Sequence, residues 1–136
     1  MAESAAHARL VRAILSFVEL EFGPIIDLSV RDDSVFPLRY ERPPRVGGFV
    51  PDVYATDVPT TVTIIGEAKT TSDLERERSR SQISAFLAYL AHMPKGVFVL
   101  SVPLVAGATA RRIVAAAQQS LPLSATRIVI LDGIPG

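Results

Sequence analysis

Residues 51–70 read PDVYATDVPTTVTIIGEAKT. The run from Thr61 to Lys69 is dominated by Thr, Val and Ile, the residue types that suit a pleated, half-buried or buried strand, yet it ends on Glu67 and Lys69. Side chains two apart in a strand project to the same side, so this carboxylate and this ammonium point together with Thr63 and Ile65. Two opposite charges inside a small core are costly unless they gain something in return. Either they form a structural ion pair, or they belong to a site. Pro51-Asp52 opens the preceding strand-like segment, Phe49 to Ala55, and Val58-Pro59 supplies the turn between the two.

Upstream, residues 5–22 predict a first helix, with Leu10, Val11, Ile14, Leu15, Val18 and Phe22 at helical spacing and Gly23-Pro24 as its stop. Ile25 to Val30 alternates like a short strand, Asp32-Asp33-Ser34 marks a turn, and the Pro-, Arg- and Gly-rich stretch from Val35 to Gly48 predicts an irregular loop or short edge strand. After Lys69, Ser72-x-x-Glu75 has the form of a capping box and opens a helix running to about Met93, which Pro94-Lys95-Gly96 ends. Val97 to Val102 is a continuous apolar run expected of a central strand, Ala106 to Gln119 an alanine-rich helix, and Arg127 to Leu131 a last strand. The predicted order is αβββαβαβ. It implies an α/β fold whose mixed central sheet is flanked by helices.

The chain has 136 residues, which suits one domain spanning 1–136 with a single core. Hydrophobic residues make up 49% of it, which excludes a disordered chain. No apolar run approaches the roughly 20 residues of a membrane span, and the charged N-terminal stretch does not read as a signal peptide. With no cysteine, thiolate metal sites and thiol nucleophiles are excluded, and a cytoplasmic protein is expected. Fourteen basic residues balance fourteen acidic ones, so the global basic excess of many nucleic-acid binders is missing. Positive charge is local instead: Arg39, Arg42 and Arg45 stand against a single Glu41, and Arg76, Arg78 and Arg80 follow the GEAKT strand end.

A helix, three strands, Pro51-Asp52, then Glu67-Ala68-Lys69 and a following helix carrying Gln82 resembles the PD-(D/E)xK nuclease superfamily, which includes many restriction endonucleases and Holliday-junction resolvases. The resemblance covers about residues 5–102 and implies a restriction-endonuclease-like αβββαβ core, here extended by a C-terminal helix and strand. It implies that Asp52 and Glu67 hold Mg²⁺ or Mn²⁺, with the carbonyl of Ala68 as a third protein ligand. Oxygen donors and retained waters suit such an ion, which neutralises the phosphate and activates water. Lys69 is then the residue that orients or deprotonates the attacking water and stabilises the developing charge. An inward acidic residue of the first helix is a recurrent further ligand in the superfamily; helical phase favours Glu21, inside the apolar arc, over Glu19 at its edge. Arg78 and Gln82 share a helix face with Ala85, Phe86 and Tyr89, and the resemblance places this Gln against the active-site Lys or the phosphate.

The implied partner is DNA, with the loop arginines Arg39, Arg42 and Arg45 and the helical Arg78 on its phosphates. Three loop arginines on a neutral chain give little affinity alone, so a homodimer or a partner protein is expected to add to it. Arg76 and Arg80 read as a solvated helix face, and His7 and His92 as lone histidines without metal spacing. Ser79 and Ser101 lack a nucleophile context, and no Gly-rich phosphate loop follows a strand. A second class stays open: a catalytically weak or inactive domain of the same fold acting as a binding or assembly module, a reading that zero net charge and high apolar content favour.

Overall fold

The structure, a computed structural model, describes residues 4–25, 27–33, 42–122 and 125–134. Helix α1, Ala5–Phe22, spans the predicted residues. Ser4 caps it, its hydroxyl accepting from the His7 N–H at 3.0 Å, and thereby satisfies one of the orphan donors of the first turn. Leu10, Val11, Ile14 and Val18 are buried along one stripe. The backbone N–H of Gly23 closes the helix on the Glu19 carbonyl at 2.9 Å.

Three antiparallel strands follow: β1, Ser29–Asp32; β2, Val53–Thr56; and β3, Thr63–Ala68. The first begins four residues later than predicted, and Asp32, expected in a turn, is its last residue, paired with Val53. The strand predicted from Phe49 starts only at Val53. Phe49 instead bridges back to Val46 across Gly47 and Gly48, whose φ values of 58° and 86° suit glycine, and Pro51 has no N–H to give to a ladder. Between β2 and β3 the Asp57 carboxylate accepts from the Thr61 and Val62 N–H groups at 2.8 and 2.9 Å. That network holds its pKa down at about 2, the Thr61 hydroxyl contributing most.

Beyond β3 the predicted single helix is two: α2, Thr71–Leu74, and α3, Glu77–Leu90. The cap is Thr70 rather than Ser72, with the Asp73 N–H donating to the Thr70 hydroxyl at 3.3 Å. Two contacts make the break. The Ser79 hydroxyl donates to the Asp73 carbonyl at 2.5 Å while Leu74 is fully buried, so the chain turns at Glu75-Arg76 to drive Leu74 inward. Strand β4, Gly96–Pro103, a 3₁₀ turn over Leu104–Ala106, helix α4, Gly107–Gln119, and strand β5, Arg127–Ile134, follow among the described residues.

The five strands lie in the order β1-β2-β3-β4-β5, with β3, β4 and β5 parallel. The α/β class with a mixed sheet flanked by helices is therefore as predicted. α3 and α4 connect successive parallel strands and pack on one face of the sheet, around Ile65, Phe86, Phe98 and Leu100; α1 covers the other, around Ile14, Val53, Ile64 and Val99. Strand β3 is buried at all six positions because both faces are covered. Fully buried side chains such as Phe86, Phe98 and Ile14 each contribute roughly 1.5–3 kcal/mol by leaving water. Among the described residues no helix is long and apolar enough to cross a membrane.

Candidate functional site

The last backbone pair of the β2–β3 ladder at this end is Val53 with Gly66. One step further, Asp52 faces Glu67, and side chains take over from the backbone. The Asp52 N–H donates to Glu67 Oε1 at 3.1 Å, and the Ala68 N–H donates to Asp52 Oδ2 at 2.8 Å. Each carboxylate is thus gripped by the strand that carries the other. The Lys69 N–H donates to the Ser101 carbonyl at 3.0 Å, which keeps the chain against β4 for one residue past β3. From there the Lys69 ammonium lies 3.1 Å from Glu67 Oε2 and donates to Oε1 of Gln82. Gln82 reaches it from the buried face of α3, alongside Ile83 and Phe86.

Glu67 is only 3% exposed. Burial first, and then the negative charge of Asp52, push its pKa up to about 8, against the opposing pull of Lys69. The Asp52 charge and the buried Glu67 carboxylate repel, and Lys69 offsets that repulsion only in part. One member of the cluster, His7, is a histidine expected from the sequence to stand alone. His7 Nε2 lies 3.4 Å from Asp52 Oδ2, so α1 does contribute to the cluster, through its first turns. The signal was present: His7, Leu10, Val11 and Ile14 fall at i, i+3, i+4 and i+7, on one stripe.

Glu21 does not join. It is exposed and pairs with Arg127 at 3.0 Å, at the start of β5 and the opposite end of the sheet. Fourteen residues separate it from His7, about 21 Å along a helix at 1.5 Å per residue, so no rotation of α1 brings both to one point. Glu19 is exposed as well. Arg78, expected on the buried side of its helix, is exposed: it lies in the first turn of α3 and sets its guanidinium 5.2 Å from the Phe49 ring centre, a cation–π contact. Of the loop arginines, Arg42 is exposed and pairs with Asp33 at 3.0 Å, Arg45 is exposed and donates to the Gly48 carbonyl at 3.0 Å, and Arg39 lies outside the described residues.

Among the described residues no three His, Asp or Glu side chains are gathered into a ready-made metal cluster. The carboxylate oxygens of this cluster are those of Asp52 and Glu67, with the Ala68 carbonyl next along the strand. Mg²⁺ and Mn²⁺ would fit them: a hard ion needs only one or two carboxylates when it keeps its waters, and the Asp52 charge, which after burial is the second cause of the raised Glu67 pKa, is what a cation there would offset. In comparison with known proteins, the chain matches no protein-family model, no curated protein and no solved structure.

Proposed function

We propose that this protein is a metal-dependent phosphodiester hydrolase of the PD-(D/E)xK nuclease type, acting on DNA with Mg²⁺ or Mn²⁺. One observation carries the reading: the crossed hydrogen bonds between Asp52 and the β3 end, which bring two carboxylates, an ammonium and an amide into one cluster at the edge of the sheet. The αβββαβ order, with helices on both faces of a mixed sheet, supports the restriction-endonuclease-like core that the motif implies.

In this mechanism Asp52 and Glu67 would hold the ion, which would supply charge neutralisation at the scissile phosphate and activation of water. Glu67 would have to be ionised to serve as a ligand, since metal-binding carboxylates are deprotonated. Gln82 fixes the Lys69 ammonium at the mouth of the pair, where it orients the attacking water and stabilises charge developing on the phosphate. His7 steadies the outer side of Asp52.

The Glu67–Lys69 contact favours a second reading, in which the pair is purely structural and the domain is a binding or assembly module. A nuclease assay on duplex, single-stranded and branched DNA, with and without Mg²⁺ or Mn²⁺, separates the two. Metal-dependent cleavage by the wild type that is lost in Lys69→Ala supports hydrolysis; no cleavage of any form, or equal cleavage by both proteins, refutes it.

A further inference from the structure

α3 and α4 each follow a strand of the parallel half of the sheet, so their N-terminal ends stand at the same sheet edge as Glu67 and Lys69. Between the two helices lies a cleft of about 690 Å³, lined by Glu75, Arg80, Ser84, Thr109, Arg112 and Ile113 among others. Its two arginines differ from others close to them in sequence. Arg76 and Arg111 are held by Asp73 and Asp132, at 3.9 and 3.0 Å. Arg80 has no carboxylate within ion-pair distance among the described residues, and Arg112 donates only to the neutral Thr109 hydroxyl at 3.2 Å. Both are exposed side chains, and both border this one cleft.

Two guanidiniums and the single carboxylate of Glu75 leave the cleft one net positive charge, which complements the single negative charge of a phosphodiester. The serine and threonine hydroxyls add neutral donors, and guanidinium is the group best shaped for phosphate oxygens. We infer that the α3/α4 cleft is a phosphate-binding subsite that holds one strand of nucleic acid leading away from the Glu67–Lys69 site. The identity of the strand rests on the nuclease reading; the anion site does not. The cleft lies between two adjacent helices, which suits one strand rather than a duplex. Arg80, expected from the sequence to be part of a solvated face, is then a ligand-binding residue.

The test is anisotropy of a fluorescein-labelled single-stranded DNA of about twelve nucleotides, within the span that one small domain covers, measured in chelator so that nothing is cleaved. Arg80→Gln/Arg112→Gln is expected to bind about tenfold or more weakly than wild type. Its dependence of log K on log salt should flatten by about 0.7 for each phosphate that is no longer neutralised. Arg9→Gln/Arg12→Gln removes the same charge from exposed positions on α1, across the sheet, and is expected to bind as wild type does. Equal binding and salt slope in the Arg80/Arg112 variant overturn the inference, as does an equal weakening in the α1 control or a preference for duplex that is insensitive to Arg80 and Arg112. Failure of the catalytic reading looks different: a wild type that cleaves no nucleic acid, yet binds the single strand through Arg80 and Arg112, keeps the subsite and loses the nuclease.

Discussion

Replacing Glu67 by Gln keeps the shape of the side chain and removes its ability to ionise. In the wild type without metal, burial and the Asp52 charge raise the Glu67 pKa from 4.5 to about 8. Between those values the folded state binds a proton that the unfolded state has released. The corresponding stability is fully present below about pH 4.5 and is lost as pH rises through 8. At about 1.36 kcal/mol per pH step, the interval sets a ceiling on the order of 5 kcal/mol, a large share of the 5–15 kcal/mol typical of a domain. An amide contributes no such slope. It does lose one acceptor facing the Asp52 N–H or Lys69, a cost of roughly 1–3 kcal/mol that is independent of pH. The level of the Glu67→Gln curve is therefore offset, and its slope is diagnostic. Urea melts from pH 4.5 to 8.5 in chelator should show the wild type losing stability relative to Glu67→Gln as pH rises. Adding Mn²⁺ at about a hundred times its Kd should return roughly 2.7 kcal/mol to the wild type and little to the variant. Parallel pH profiles for the two proteins would refute the buried, charge-repelled carboxylate on which the proposed metal site rests.

Lys69→Ala should keep its fold and lose cleavage by a factor on the order of 10²–10³, measured as single-turnover rate on a labelled DNA, since an ammonium aimed at developing charge acts mainly in the transition state. Glu21→Ala should leave metal-dependent stabilisation unchanged and cost no more than about 1 kcal/mol in urea melts, because the Arg127 pair it breaks is half-exposed. In Gly47→Ala the new Cβ would lie 2.7 Å from the Ala85 Cβ at a φ of 58°, so a loss of about 1–3 kcal/mol is expected; a variant as stable as wild type would show that the 46–49 turn is not seated on α3. Asp57, with its pKa lowered from 3.8 to about 2, contributes stability that is present above about pH 4 and lost as pH falls through 2; Asp57→Asn should flatten that acid limb in a pH-dependent melt.

The parts legible in the sequence are those fixed by local periodicity. The α1 stripe and the Thr-Val-Ile run of β3 gave the correct elements because each is set by residues within its own span. Other features depend on partners distant in sequence or on backbone geometry that composition does not encode. The α2–α3 break turns on Leu74 entering the core and Ser79 bonding the Asp73 carbonyl, neither of which a capping pattern reveals. The pairing of Asp52, Glu67, Lys69 and Gln82 was readable once strand adjacency was assumed. Glu21 shows the limit of helical phase, which gives the angle around an axis but not the position along it; the same phase, applied to the first turn, points to His7.

The crossed hydrogen bonds at the end of β2 and β3 also make the site its own reporter. The amide protons of Asp52 and Ala68 are held by the two carboxylates rather than by a neighbouring backbone. They exchange with solvent when those side chains let go, while amides further along β3 are held by the ladder itself. Deuterium uptake at these two positions thus reads the state of the carboxylate pair directly, independent of any substrate. A cation that draws either carboxylate away from its amide will register as faster exchange at one residue, within a strand that otherwise stays closed.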